Sequence, residues 1–130
     1  MMLHIDDHLT VSEVQDRFEE CFPGLKIEFY SKPHHPGMTT DDKYLILPEC
    51  RIGDIRKIHN RGELVIMSWY PVERVEREFR KKFGLNVQIF RAVKDAWVQT
   101  GESDKLSLSE QRRLSLRMKN KEQKSDKAAS

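Results

Sequence analysis

VSEVQDRFEECFPGLKIEF (residues 11–29) and VERVEREFRKKFGLNVQI (residues 72–89) are two copies of one pattern. Val11, Val14, Phe18 and Phe22 answer to Val72, Val75, Phe79 and Phe83 at an offset of 61. Leu25, Ile27 and Phe29 answer to Leu85, Val87 and Ile89 at an offset of 60, because Pro23-Gly24 is matched by Gly84 alone. Each copy is an apolar stripe at helical spacing, a glycine stop, and then strict alternation. The pattern predicts a helix feeding a strand, twice.

The flanks extend both copies. Leu3 and Ile5 alternate with His4 and Asp6, which predicts a half-buried strand over 2–8. Thr10 to Glu13 and Ser107 to Glu110 have the form of capping boxes, placing helix starts at 11 and 108. Residues 31–43, with Pro33, His34, His35, Pro36 and Gly37, read as a long mobile loop. Tyr44 to Leu47 reads as a short apolar strand. Pro48 with Ile52, Ile55 and Ile58 reads as a helix closed by Asn60 to Gly62. The apolar run Leu64 to Met67 predicts a central strand over 63–69 with both faces covered. Glu73/Arg77, Glu76/Arg80 and Glu78/Lys82 are spaced as ion pairs on the open face of the second helix. A turn at Val93 to Asp95 folds Ala96 to Thr100 back as a hairpin.

A weaker match sets Ile52–Ile58 against Leu108–Leu114 at an offset of 56, so the repeats are 2–58 and 62–118 within one domain, 1–118. Two βαβ units in series are expected to form a ferredoxin-like α+β sandwich, one antiparallel sheet with both long helices on one face. Residues 119–130 are Lys, Asn, Glu, Gln, Ser, Asp and Ala only, the composition of a disordered basic tail.

Length, charge and cysteine count narrow the class. At 130 residues one domain is expected. No apolar run has the length of a membrane span, and Met1 to Asp7 lacks the features of a secretory signal. Two cysteines, Cys21 and Cys50, make no disulfide framework; both read as thiols of a reducing compartment, so a cytoplasmic location is expected. Residues 112–130 hold 7 basic and 2 acidic side chains, leaving 16 basic and 19 acidic over 1–111, a body of net charge −3. An acidic body with a basic tail is not a dedicated nucleic-acid domain.

Phe83-Gly84-Leu85-Asn86-Val87-Gln88-Ile89-Phe90-Arg91, followed by Trp97, Thr100, Asp104, Leu106 and Gln111, resembles a family of small uncharacterised bacterial proteins of Bacteroidota type. The segment Phe22 to Tyr30 is similar to the same family, and the resemblance spans most of residues 5–112. The chain departs from it at Gln99 and Gly101 and in the tail after Gln111. That family carries no established activity, so the resemblance implies one compact domain and no mechanism.

No enzyme hallmark is present: no glycine-rich phosphate loop, nucleophile elbow, HExxH helix or CxxC pair. A non-enzymatic protein without cofactor is expected. His4, Asp6 and His8 share one side of a strand and have the chemistry of metal ligands, but read as a solvated strand face. His34-His35 reads as a solvated loop. Trp69, Tyr70, Phe90, Trp97 and Tyr44 supply more aromatic surface than a free sheet face needs, which points to a protein partner or homodimer through that face or an edge strand. The same aromatics with the basic tail give the runner-up, weak binding of single-stranded RNA or DNA. Arg51, Arg56, Lys57 and Arg61 are the candidates for an anion or acidic-partner site.

Overall fold

The computed structural model describes residues 1–34 and 37–115; the expected tail lies outside them. The strands are β1 (Met2–Ile5), β2 (Leu25–Tyr30), β3 (Gly62–Val65), β4 (Asn86–Val93) and β5 (Ala96–Gln99), and the long helices are α1 (Val11–Cys21) and α2 (Val72–Phe83). Single 3-10 turns occupy Asp42–Tyr44, Ile52–Asp54 and Gly101–Ser103, and residues 108–115 are helical. The fold is α+β.

Local chemistry sets the helix ends. The Glu13 N–H donates to Thr10 Oγ1 (3.2 Å), and the Glu13 carboxylate accepts from the Thr10 N–H (3.4 Å). The Glu110 N–H donates to Ser107 Oγ (3.1 Å), with the Ser107 N–H donating back (3.3 Å). Such caps satisfy amides the first turn leaves orphaned. Gly84 ends α2 with φ 65°, the left-handed region a side chain resists, and its N–H closes on Arg80 and Phe79 carbonyls. The apolar stripes of both helices are buried. Val11, Val14, Phe18 and Phe22 share one contiguous core with Val72, Val75, Phe79 and Phe83. Burial of each such phenylalanine contributes about 1.5–3 kcal/mol.

The strands do not make the expected single sheet. β1 pairs antiparallel with β3 in a two-stranded sheet; β2, β4 and β5 form a second, antiparallel, in that order. The reason lies at the outer edges of β2 and β4, where a further strand would have to join. On β2, Ser31 N–H donates to Tyr44 O (2.9 Å), Ile46 N–H donates to Phe29 O (2.8 Å), and the Gln15 amide donates to Ile27 O (2.9 Å). On β4, β5 takes one end, Thr100 N–H donates to Ile89 O (3.0 Å), and Glu76 accepts from Ile89 N–H (3.2 Å). With those edges taken, β1 and β3 pair with each other. β3 is therefore not the central strand expected: Leu64 and Ile66 are buried, but Val65 and Met67 face solvent.

Two further expectations change. Tyr44 to Leu47 forms only one bridge, Tyr30 to Leu45. The helix expected after Pro48 shrinks to the Ile52–Asp54 turn, whose Ile52 and Gly53 N–H groups donate to Leu9 O and Asp7 O.

One set of backbone hydrogen bonds occurs twice. Val11 N–H donates to Cys50 O, and Val72 N–H to Leu106 O; Ser12 N–H donates to Pro48 O, and Glu73 N–H to Asp104 O. Ile52 N–H donates to Leu9 O, and Leu108 N–H to Tyr70 O; Gly53 N–H donates to Asp7 O, and Ser109 N–H to Ser68 O. Each second bond joins the residues found 61 and 56 places after those of the first. The helix ends are served crosswise: Arg56 donates to Phe83 O at the end of α2 (3.1 Å), and Arg112 to Pro23 O just beyond α1 (3.0 Å).

Candidate functional site

The five candidate aromatics do not share one surface. Phe90 and Trp97 come together on the outer face of the β2–β4–β5 sheet, with Lys26 Nζ 5.0 Å from each ring centroid and 3.3 Å from Glu28. Trp69 and Tyr70 lie beyond β3, on the side of the other sheet. Trp69 is 62% exposed, but Tyr70 is buried between it and Arg74, whose guanidinium lies 3.7 Å from the Tyr70 ring centroid. Tyr70 therefore offers no docking surface, contrary to expectation. Tyr44 is half-buried beneath Lys32 and Lys43.

β5 adds a feature beside Phe90 and Trp97. It is the last strand of its sheet, with β4 on one side only. Ala96 is exposed, and Trp97 (43%) and Val98 (42%), which point to opposite faces, are both open to solvent. No charge or proline lies within Ala96–Gln99. Edge strands of natural proteins are usually guarded by such residues, because an unguarded edge is a template for another strand.

The basic candidates do not form an anion site. The Arg56 side chain is fully buried and committed: Nε and the terminal nitrogens hold Asp7 Oδ1 (2.8–2.9 Å), Asn60 and Phe83 O. Arg51 donates to His8 O (2.6 Å). A guanidinium saturated by carbonyls and a carboxylate has no donor left for a ligand, so Arg56 is a tie between β1 and the end of α2. Lys57 and Arg61 are exposed. For Asp7, burial alone would raise the carboxyl; Arg56 and His59 outweigh it and hold it below its ordinary value.

His4 hydrogen-bonds Asp6 (2.7 Å) and Glu63 (3.0 Å), which raise its pKa. No group of three His, Cys, Asp or Glu side chains among the described residues is placed to hold a metal ion.

One cluster escaped the sequence reading. Glu76, expected on the solvated face of α2 opposite Arg80, is 5% exposed. Its Oε2 accepts from the Ile89 N–H and meets His34 Nε2 at 3.3 Å. The His34 side chain is 10% exposed rather than solvated, and His35 lies outside the described residues; further along the same loop Gly37 N–H donates to buried Asp104 (2.7 Å), and Thr40 exchanges two hydrogen bonds with the Gln99 amide (2.8 and 2.9 Å). Gly101 lets the loop backbone approach, since a Cβ there would run into the Met38 carbonyl. The described residues of 37–40 thus lie against the segment from Gln99 to Asp104. Burial raises the Glu76 pKa, against the opposing pull of His34 and the Ile89 amide. Along α2, the ion pair formed is Arg74 to Glu78 (3.6 Å) rather than the three expected. The missed signal was available: at the matched positions Gln15 and Glu28 in the first repeat become Glu76 and Gln88 in the second, an exchange of acid and amide.

No family model, curated protein or solved structure matches this chain. No helix among the described residues is long and apolar enough to cross a membrane.

Proposed function

We propose that the protein is a non-enzymatic cytoplasmic dimerisation module whose two copies join edge to edge through β5. The observation that carries this reading is the unguarded β5 edge, with Trp97 and Val98 exposed on its two faces. An antiparallel β5–β5 pairing is isologous, so it closes as a dimer and stops. It extends each three-stranded sheet into one of six strands and shields Trp97 and Val98 of both copies. The free thiols of Cys21 and Cys50 fit a reducing compartment. The recurring hydrogen bonds support a second part of the proposal: the chain arose by duplication of a module of about half its length, and the dimer carries four such modules.

Sedimentation velocity over a concentration series tests this. The wild-type chain is expected to pass from monomer to dimer, and Val98→Lys, which puts a charge in the paired edge, to weaken association about tenfold or more. A wild-type chain that stays monomeric at about 1 mM contradicts the proposal.

A second reading has one observation in its favour. Lys26 between Phe90 and Trp97 is an arrangement on which an unpaired base could stack. The acidic body weighs against it, and titration with labelled single-stranded RNA at low salt is expected to show no binding.

A further inference from the structure

We propose that the cavity between β1 and the first turns of α1 binds an arylalkylamine, a small ligand whose aromatic ring carries an ammonium group a few bonds away. The inference stands apart from the β5 dimer and uses no residue of β5.

The cavity measures about 400 Å³ and is lined by Leu3, His4, Leu9, Glu13, Asp16 and Arg17. Pockets for small ligands begin at about 300 Å³. Leu3 is buried and Leu9 half-buried, so the two leucines supply an apolar wall. Glu13, Asp16 and Arg17 are exposed and share one face of α1, at the three- and four-residue spacing that makes helix neighbours.

The second repeat indicates what fits. Ile52 N–H donates to Leu9 O and Leu108 N–H to Tyr70 O, so Leu9 and Tyr70, 61 places apart, hold the same point of the two repeats. Tyr70 has a ring there, 8% exposed, with the Arg74 guanidinium 3.7 Å from its centroid. Arg74 stands 61 places after Glu13. The second repeat therefore covers this point with a ring and a cation of its own, a pair that attracts through the ring quadrupole. The first repeat has a leucine in place of the ring and a carboxylate in place of the guanidinium.

The charges at the cavity are inverted as a set. Glu13, Asp16 and Arg17 of α1 answer to Arg74, Arg77 and Glu78 of α2. In α2, Arg74 pairs with Glu78 (3.6 Å). In α1, Glu13 turns back to Thr10 as part of the cap, and among the described residues neither Asp16 nor Arg17 takes part in an ion pair. His4 is engaged by Asp6 and Glu63. Two carboxylates against one guanidinium favour a cationic group on the ligand. An arylalkylamine supplies both parts that the first repeat lacks, a ring against Leu9 and an ammonium toward Glu13 and Asp16.

Titration of phenethylamine into the isotope-labelled full chain, followed by backbone amide shifts, tests the proposal. Phenethylamine is expected to bind with a Kd of about 1 mM or tighter, within the usual range per atom for a ligand of its size, and to move amides within residues 3–17. Hydrocinnamate has a similar ring and the opposite charge, and ethylammonium has the charge without the ring; each is expected to bind at least about tenfold more weakly. Leu9→Tyr copies the second repeat's ring into the first and is expected to lower affinity about tenfold or more, as is Asp16→Asn. Should Leu9→Tyr fail to fold by circular dichroism, Asp16→Asn decides alone. No shifts at about 10 mM phenethylamine overturn the proposal. So do shifts gathered at Trp69 or in β5 instead, either control binding as well as phenethylamine, or unchanged affinity in whichever variants fold.

Discussion

Leu3 pairs with Leu64 across β1 and β3, and the two stand 61 places apart, the offset that also separates Val11 from Val72. Glu28 and Gln88 stand in the same relation across β2 and β4, at the offset of 60 that holds there. In each sheet matched residues face one another, as they would across a twofold axis between two copies. Both helices contribute to one core, and Arg56 and Arg112 donate to Phe83 O and Pro23 O at the ends of α2 and α1.

This arrangement makes a prediction about cooperativity. Phe18 and Phe79 are matched, fully buried and part of one core. Phe18→Ala and Phe79→Ala are expected to cost about 3–5 kcal/mol each. Each variant is expected to unfold in one transition, read by urea titration with fluorescence and circular dichroism together. Two separated transitions, with each variant moving only one, would mean independent modules.

Arg56 yields a second prediction. Its guanidinium joins Asp7, Asn60 and the α2 terminus while fully buried. Arg56→Ala is expected to destabilise by about 3 kcal/mol, because the partners lose their donors and the space empties. The exposed Lys57→Ala and Arg61→Ala are expected to stay within about 0.5 kcal/mol of wild type. Equal effects from all three would restore Arg56 to a surface anion site.

Glu76 sets a pH dependence. Burial raises its folded pKa above the ordinary 4.5, so the folded state retains a proton that the unfolded chain gives up. Stability is then greatest below 4.5 as far as this group is concerned, and is lost as pH rises through the raised value. Asp6, held low first by the His8 amide and then by His4, and Asp7 act oppositely, losing stability in acid near and below 3.8. His4, raised by Asp6 and Glu63, contributes stability below 6.5 that disappears above its folded value. Urea midpoints are therefore best compared between about pH 4.5 and 6. There the wild type is expected to decline with pH and Glu76→Gln to stay flatter. Parallel profiles would mean that Glu76 does not carry this slope.

The sequence makes the elements legible and the sheet pairing illegible, for a definable reason. α1, α2, β2, β4 and the β4–β5 hairpin follow from periodicity and punctuation that those residues carry themselves. Whether β1 joins β2 or β3 depends on who occupies the edges of β2 and β4. The occupants are Gln15, Glu76 and backbone from residues 44–46 and 96–100, none of which advertises that role by spacing. Arg56 was readable as a cation but not as a cap, since its acceptors are carbonyls that every residue possesses. Glu76 was hidden by Arg80, four places on, which offered a plausible surface partner. Of the aromatic candidates, Phe90 and Trp97 were readable because hairpin register places them on one face, whereas the burial of Tyr70 depends on Arg74 folding over its ring.

The dimer through β5 is tested most directly by amide hydrogen exchange at low and high protein concentration, since an edge gains protection only where it gains a partner. Exchange within Ala96–Gln99 is expected to slow as concentration rises, while the β1–β3 sheet stays unchanged, and Val98→Lys is expected to abolish the difference. Exchange in β5 that is the same at every concentration, or protection that appears on β1 or β3 instead, would contradict it.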